Sequence, residues 1–159
     1  MSSSWDEGTE AEIEFINLRG DNFLRKSTKH EDIHEHWDVL DKEFGRVDVK
    51  AAKRKYRGGS IDYTMWWELR TVKRPPTWEC SLGWGVPNDV DRLIAVRSAT
   101  GFYLVSPSDI VEDLRKIVTK GVYSRDDFCL HTRKGRGDLT TILPLSYIQE
   151  NSRHYVEVL

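Results

Sequence analysis

Three charged residues in the first third of this 159-residue sequence stand in a pattern that could bind a metal ion. Asp48 and Lys50 lie two residues apart, and nine residues separate Asp38 from Asp48. Two carboxylates, together with water and a phosphate oxygen, form the hard-oxygen site that Mg²⁺ prefers. Such an ion polarises a phosphodiester and lowers the pKa of a bound water, and Lys50 could orient that water or neutralise the phosphate.

A predicted β-hairpin positions these residues. Residues 37–40 and 46–51 have the composition of two strands, and a break at 41–45 separates them. Because side chains alternate along a strand, the apolar residues of the second strand share one face, and Asp48 and Lys50 share the other. Asp38 on the neighbouring strand is then close enough for both carboxylates to reach one ion. Burying such charges without a use for them is costly, which favours a functional role.

The elements around this hairpin predict an α/β fold. Apolar spacing predicts a helix over Thr9–Leu18, with Thr9 and Glu12 as a capping box and Gly20 as its end. Further predicted elements are strands over 22–25, 63–72, 91–97, 101–105 and 139–143 and helices over 109–118 and 144–150. No internal repeat or low-complexity linker interrupts the chain, so we predict a single domain over residues 1–159.

Charge is nearly balanced in sum but uneven along the chain. The 24 basic and 26 acidic residues give a net charge of −2, which excludes a uniformly basic nucleic-acid coat protein. Six carboxylates lie within residues 31–43, and five basic residues follow within 50–57. Charge runs are most often solvated faces. The basic run could instead hold a polyanion beside the metal through four side chains: Lys53, Arg54, Lys55 and Arg57.

The sequence gives no sign of a membrane or a secretory destination. It has no long apolar run, and its first residues lack the basic start and apolar middle of a secretory signal. Cys80 and Cys129 are far apart, as free thiols in a reducing compartment often are. We therefore expect a cytoplasmic protein without a membrane partner.

With these residues in place, the sequence resembles the PD-(D/E)xK nuclease superfamily, whose pattern is an acidic residue, a short hairpin and then acid-x-Lys. Residues 31–38 followed by 47–54 are similar to small phage-encoded nucleases, and residues 8–12 resemble the start of the first helix in archaeal Holliday-junction resolvases. Trp37 stands where the proline that gives the superfamily its name precedes the aspartate.

The resemblance implies a restriction-endonuclease-like core, with a central mixed β-sheet flanked by helices. It implies Asp38, Asp48 and Glu12 as metal ligands, with Val49 contributing its backbone carbonyl and Lys50 as the catalytic lysine. Glu10 and Glu14 remain alternatives to Glu12 as the helix ligand. The implied cofactor is Mg²⁺, for which Mn²⁺ would substitute.

The function implied is a metal-dependent DNA endonuclease that hydrolyses phosphodiester bonds, either selective for junctions or branched DNA or restriction-like. Members of this size often dimerise to cut two strands, which implies a homodimer, and a phage-encoded member would act in the host cytoplasm. The alternative is a non-catalytic nucleic-acid-binding or virion-associated module that retains the nuclease fold.

Several other residues have both structural and functional interpretations. Glu68, in the strand after the site, is either an outer group of the metal site or a structural partner of a basic side chain. His36 could contact DNA or the metal ligands, and with His30 and His34 it could form a zinc site instead. Trp66 and Trp67 point to opposite faces of one strand, so at least one should belong to the core.

Overall fold

A computed structural model describes residues 4–51, 64–72, 80–110, 130–131 and 139–158 of the chain. The chain divides into two compact units. The first unit comprises residues 1–52, 89–106 and 148–159, and the second comprises residues 53–88 and 107–147. The single domain over residues 1–159 stays a prediction.

The described elements follow one another in mixed α/β order. They are α1 (Ser4–Arg19), β1 (Phe23–Lys26), β2 (Val39–Asp41), β3 (Gly45–Ala51), β4 (Thr64–Val72), β5 (Cys80–Leu82), β6 (Leu93–Arg97), β7 (Gly101–Val105), β8 (Leu130–His131), β9 (Leu139–Pro144), α2 (Leu145–Asn151) and β10 (His154–Glu157). A short 3₁₀ turn at Gly20–Asn22 links α1 to β1, and a π-helical turn at Glu31–Glu35 precedes β2. The predicted strands over 22–25, 63–72, 91–97, 101–105 and 139–143 are therefore confirmed to within about two residues at each end.

The first unit contains a six-stranded sheet in the order β1-β2-β3-β6-β7-β10. Strands β3 and β6 are parallel, and every other neighbouring pair is antiparallel, so the sheet is mixed. The prediction of an α/β fold with a central mixed sheet is confirmed. In the β2–β3 hairpin, Val39 lies opposite Val47 and Asp41 lies opposite Gly45.

Helix α1 packs on one face of this sheet through its apolar stripe. Ala11 and Phe15 are fully buried, and the Phe15 ring meets Phe102 of β7 edge-on at 5.2 Å between centroids. Val47 and Val49 of β3 belong to the same cluster, as the alternation of that strand predicts. The core therefore occupies the face of β3 opposite to Asp48 and Lys50.

Helix α1 begins five residues earlier than predicted. The helix starts at Ser4 and runs through Gly8, so Thr9 lies inside it and is not the N-cap. A glycine inside a helix costs about 1 kcal/mol, which is too little to end a helix that other residues extend and that packs on a sheet. The predicted end is confirmed, because α1 stops at Arg19 and Gly20 has a positive φ of 51°. Among the described residues, no helix is long and apolar enough to cross a membrane.

The turn between β2 and β3 depends on a buried carboxylate. Asp41 Oδ1 accepts hydrogen bonds from the backbone N–H groups of Glu43 (2.9 Å) and Phe44 (3.0 Å). Arg19 Nε donates to Asp41 Oδ2 at 2.7 Å, and this guanidinium also lies 4.2 Å from the centre of the Phe44 ring. Gly45 follows with a φ of 74°, which a glycine adopts without strain. The aspartate thus closes the hairpin that carries the predicted site.

The second unit contains a four-stranded sheet in the order β5-β4-β9-β8. Trp66 is 40% exposed and Trp67 is fully buried, so the prediction that they face opposite sides of a strand is confirmed. Trp67 Nε1 donates to the Gly85 carbonyl at 2.8 Å and packs against Trp84. Trp67 thus belongs to the core and anchors the loop that contains Trp84 and Gly85, whereas Trp66 is exposed.

Candidate functional site

The start of the β2–β3 hairpin brings the carboxyl groups of Asp38 and Asp48 close enough to interact. The Asp38 N–H donates to the Val47 carbonyl at 2.9 Å, although Val47 already lies opposite Val39, so Asp38 meets β3 one residue out of the hairpin register. Such an irregularity re-aims a side chain at the end of a strand. The Val49 N–H also donates to Asp38 Oδ2 at 2.8 Å, which fixes the carboxyl group against β3.

The two carboxyl groups perturb each other. Burial, followed by the negative charge of Asp48, raises the pKa of Asp38 to about 8, although Lys50 and the Val49 N–H act in the opposite direction. Because the two groups interact strongly, the proton belongs to the pair rather than to one residue. At pH 7 the pair therefore carries less than its full charge of two unless a cation joins it.

Two basic side chains flank Asp48 on different sides. Lys50 Nζ lies 3.2 Å from Asp48 Oδ1, and its side chain is 29% exposed. Arg92 Nη1 lies 4.0 Å from Asp48 Oδ2, and its side chain is only 1% exposed. Burial lowers the pKa of Arg92, and the Asp48 charge acts in the opposite direction. Within the described residues, Asp48 Oδ2 is buried and accepts no hydrogen bond.

Arg92 is the residue of this site that sequence reasoning missed. It immediately precedes β6, and β6 pairs with β3 in parallel so that Ile94 lies beside Asp48. No residue near Asp48 in the sequence indicates that Arg92 lies beside it. The one local signal is a basic residue directly before the apolar run of β6, and such a residue is ordinarily exposed.

Helix α1 presents its acidic residues to different partners. Glu12 Oε1 receives Lys26 Nζ at 2.8 Å, whereas Glu14 Oε2 lies 3.5 Å from Arg97 Nη1. The hydrogen bond to Glu12 raises the pKa of Lys26, and the charges of Asp38 and Asp32 contribute to the same shift. Lys26, the ionic partner of Glu12, thus also interacts with the charge of Asp38.

Glu10 and Glu14 line a shallow groove on α1 together with Ile13, Asn17 and Leu18. Of the three glutamates considered as helix ligands, Glu12 is therefore the one whose ionic partner also feels the charge of Asp38. It does not complete a three-ligand set: within the described ranges, no group of three or more His, Cys, Asp or Glu side chains is arranged to hold a metal ion.

The donor set still fits part of a Mg²⁺ site. Asp38 and Asp48 are hard-oxygen ligands placed side by side, and Asp48 Oδ2 is a buried acceptor with no hydrogen bond among the described atoms. Mg²⁺ keeps several waters and often takes only one or two protein carboxylates. Val49 takes part through its N–H, which holds Asp38 in place. Asp38 and Asp48 could therefore hold the ion, with waters or a substrate filling its other positions.

A constrained turn leads the chain into Asp38. His36 follows the π-helical turn and has a left-handed backbone, with φ 60° and ψ 52°. Trp37 is fully buried, its Nε1 donates to Glu35 Oε1 at 3.1 Å, and the Arg25 guanidinium lies 5.2 Å from its ring. A non-glycine residue keeps this conformation only where its surroundings impose it. The buried tryptophan thus fixes the direction from which Asp38 enters the site.

The remaining predicted site residues belong to the second unit, to the segment before β2, or to the part of the chain outside the described residues. Glu68 belongs to β4 of the second unit, where its carbonyl accepts the Gly85 N–H at 2.8 Å. The His30 and His34 rings are 4.5 Å apart and exposed. The predicted DNA-binding residues Lys53, Arg54, Lys55 and Arg57 are outside the described residues.

Comparison of the chain with protein-family models, with curated proteins and with solved structures found no match in any of the three. A functional proposal therefore depends on the geometry of the carboxylate pair and its neighbours.

Proposed function

We propose that this chain is a Mg²⁺-dependent DNA endonuclease that hydrolyses phosphodiester bonds and has a restriction-endonuclease-like core. The observation that carries the proposal is the pair formed by Asp38 and Asp48. Asp48 is buried, the Val49 N–H holds the Asp38 carboxyl near it, and Lys50 lies against Asp48. Burial of two like charges costs free energy unless a cation or a proton compensates them. A site used for a divalent cation accounts for this arrangement better than a structural role does.

Four neighbouring residues of the first unit have definite tasks in this proposal: Asp38, Asp48, Val49 and Lys50. Asp38 and Asp48 hold the cation, and the Val49 N–H keeps the Asp38 carboxyl turned toward the site. When bound, Mg²⁺ would polarise the phosphodiester and promote ionisation of a water molecule. Lys50 now neutralises Asp48, and its partly exposed ammonium group would transfer to a phosphate oxygen or orient the attacking water.

Glu12 is the helix carboxylate of the proposal. Lys26 neutralises it in the metal-free chain, and Lys26 is 64% exposed and long enough to move to a phosphate when DNA binds. His36, directly before Trp37 and Asp38, is proposed as a contact to DNA at the same end of β2. Mn²⁺ would replace Mg²⁺, because both take oxygen ligands.

The DNA-binding part of the proposal depends on sequence. Lys53, Arg54, Lys55 and Arg57 follow Ala51, the last residue of β3, within six residues along the sequence. Basic side chains in that position would hold the phosphate backbone beside the carboxylate pair. Cleavage of both strands would require two sites, which favours a homodimer, and the choice between branched and linear DNA would depend on how two copies are arranged.

The test is cleavage of supercoiled plasmid and of a four-way junction with Mg²⁺, with Mn²⁺ or with chelator. We expect metal-dependent cleavage by the wild-type protein and none by Asp48→Ala or Lys50→Ala. Asp21→Asn is the matched control, since Asp21 is exposed in the turn after α1 and its loss should leave the rate unchanged.

The outcomes separate the alternatives. Faster cleavage of the junction than of plasmid selects a structure-selective enzyme, and the reverse selects a restriction-like or non-specific one. Binding of both DNAs without cleavage under any metal would reject the enzyme in favour of a nucleic-acid-binding module. Cleavage that persists in Asp48→Ala would show that the reaction belongs to another site or to a contaminant.

A further inference from the structure

Arg92 is a buried cation beside the carboxylate pair to which the nuclease proposal gives no task. It stands two residues before Ile94, the β6 residue that lies beside Asp48, and side chains two residues apart point the same way. Its guanidinium is buried beside Asp48 Oδ2, whereas the partly exposed Lys50 ammonium lies against Oδ1 of the same carboxylate. Asp48 thus has two cationic neighbours with different access to water.

We propose that Arg92 is the permanent counter-ion of Asp48, a positioning residue that stabilises the metal-free site and weakens its affinity for divalent cations. This inference rests on the cation site of the proposed function. It assigns Arg92 a role in setting how tightly the cation is held, and no role in contacting DNA.

The distances explain why Arg92 suits this role and Lys50 does not. Arg92 Nη1 lies 4.0 Å from Asp48 Oδ2, which is beyond hydrogen-bond length but close enough for a strong charge interaction in a buried setting. Asp48 Oδ2 therefore keeps its lone pairs for a ligand while its charge is compensated. Lys50 Nζ at 3.2 Å lies directly against the other oxygen and must move aside for an ion that uses it.

Exposure to water decides which of the two cationic side chains moves away when a metal ion binds. The Lys50 side chain is 29% exposed and flexible, so it can move into water or to a phosphate. The Arg92 side chain is 1% exposed and remains when a metal ion arrives. A divalent ion bound by Asp38 and Asp48 is then repelled by the fixed guanidinium. Removal of that charge should tighten metal binding and destabilise the metal-free fold, two effects of opposite sign.

The experiment measures Mg²⁺ and Mn²⁺ binding by calorimetry and by thermal shift at a fixed pH of about 7.5. The variants are Arg92→Met, which has a similar shape without the charge, and Arg92→Lys, which keeps the charge. Arg153→Met is the matched control, because Arg153 is exposed and precedes β10, the strand three places from β3 in the sheet. Both metals are tested without DNA, so binding is read separately from cleavage.

We expect Arg92→Met to bind Mg²⁺ about tenfold more tightly than the wild-type protein, as removal of one nearby positive charge predicts at a partly screened site. Its melting temperature in chelator should fall, and Mg²⁺ should raise that temperature more than it does for the wild type. Arg92→Lys and Arg153→Met should bind Mg²⁺ like the wild type. If Arg92→Met unfolds in chelator, folding on addition of Mg²⁺ supports the inference equally.

Other outcomes overturn it. A merely structural arginine would lower the melting temperature of Arg92→Met and leave the Mg²⁺ affinity unchanged or weaker. Absence of metal binding by both wild type and Arg92→Met would reject this inference together with the proposed function. Tighter binding by Arg92→Met combined with no DNA cleavage by the wild type would reject only the nuclease. If Arg92→Met does not fold even with Mg²⁺, Arg92→Gln is judged by the same criteria.

Discussion

Asp41 and Asp38, at the two ends of one hairpin, have opposite electrostatic surroundings. At the turn end, Asp41 accepts two backbone N–H groups and the Arg19 guanidinium. Burial by itself would raise the pKa of Asp41, but these donors outweigh it and lower the pKa. At the other end, burial and Asp48 raise the pKa of Asp38 to about 8. Burial acts in the same direction on the pKa of both carboxyl groups, so burial by itself does not distinguish them.

The completeness of the hydrogen bonding distinguishes them. Every oxygen of Asp41 has a donor, whereas Asp48 Oδ2 has none among the described residues. A satisfied buried carboxylate stabilises a fold, and an incompletely satisfied one is retained where a ligand completes it. The comparison therefore assigns the turn end of the hairpin to structure and the Asp38–Asp48 end to function. Substitutions at the Asp38–Asp48 end should lower the rate of DNA cleavage, and substitutions at the turn end should lower the free energy of unfolding.

The largest expected effect is the loss of DNA cleavage at the functional end. Asp48→Asn removes a ligand charge while keeping the side-chain shape, and we expect the rate to fall by about 100-fold or more. The same substitution at the turn, Asp41→Asn, should change the rate only in proportion to the fraction of unfolded protein. The two rates are measured by plasmid nicking at a temperature below the melting temperature of both variants. Equal losses of rate in the two variants would contradict a functional difference between the two ends.

The second effect is a loss of stability at the structural end. Asp41→Ala leaves Arg19 and two backbone N–H groups without their acceptor, and we expect the free energy of unfolding to fall by about 2–3 kcal/mol. Asp38→Asn should cost less than half as much, because the Asp38–Asp48 pair already holds a proton at pH 7. Urea denaturation in chelator provides both values. A larger loss in Asp38→Asn than in Asp41→Ala would contradict our assignment.

The third effect is a pair of pH dependences with opposite signs. Asp38 binds a proton up to about pH 8 in the folded chain but only up to about pH 4 when unfolded. The folded state thus holds the extra proton between these values, so its stability falls as the pH rises through this window. The pKa of Asp41 is lowered, so its contribution is present above the unfolded pKa and is lost as the pH falls below it.

In chelator, we therefore expect the wild-type free energy of unfolding to decrease by about 1–2 kcal/mol between pH 6 and pH 8. Asp38→Asn should flatten that decrease, because an amide has no proton to lose. Urea titrations at several pH values measure the slope, with Asp21→Asn as the matched control. An unchanged slope in Asp38→Asn would mean that Asp38 does not govern this pH dependence.

The hairpin could be predicted from sequence because its information is local. Alternation over a few residues fixes which side chains of β3 share a face, and a short turn brings the residues around Asp38 back to β3. Arg92 could not be predicted in this way. It reaches Asp48 through the parallel pairing of β3 with β6, and no turn between those strands sets the register.

The identity of the helix carboxylate could be predicted from the sequence only in part. Residues two apart on a helix point in different directions, so Glu12 and Glu14 had to differ in their partners. Sequence alone does not say which of them turns toward the hairpin. In the structure, Glu12 pairs with a lysine of β1 and Glu14 with an arginine of β6. Only the folded sheet brings these two basic residues to α1.

The smallest expected effect separates these two glutamates. Both form partly exposed ion pairs, so Glu12→Gln and Glu14→Gln should each change the free energy of unfolding by less than about 1 kcal/mol. The cleavage rate should differ between them. If Glu12 joins the cation site, Glu12→Gln should slow cleavage about tenfold, as expected for a group that supports metal ligands, and Glu14→Gln should leave the rate unchanged.

The Mg²⁺ dependence of the rate decides how Glu12 acts. If Glu12 serves the cation, a higher Mg²⁺ concentration should restore part of the rate of Glu12→Gln. If Glu12 only holds Lys26, then Lys26→Met should reproduce the defect and Mg²⁺ should not rescue either variant. Equal rates for Glu12→Gln, Glu14→Gln and wild type would confine the cation site to the hairpin and exclude α1 from it.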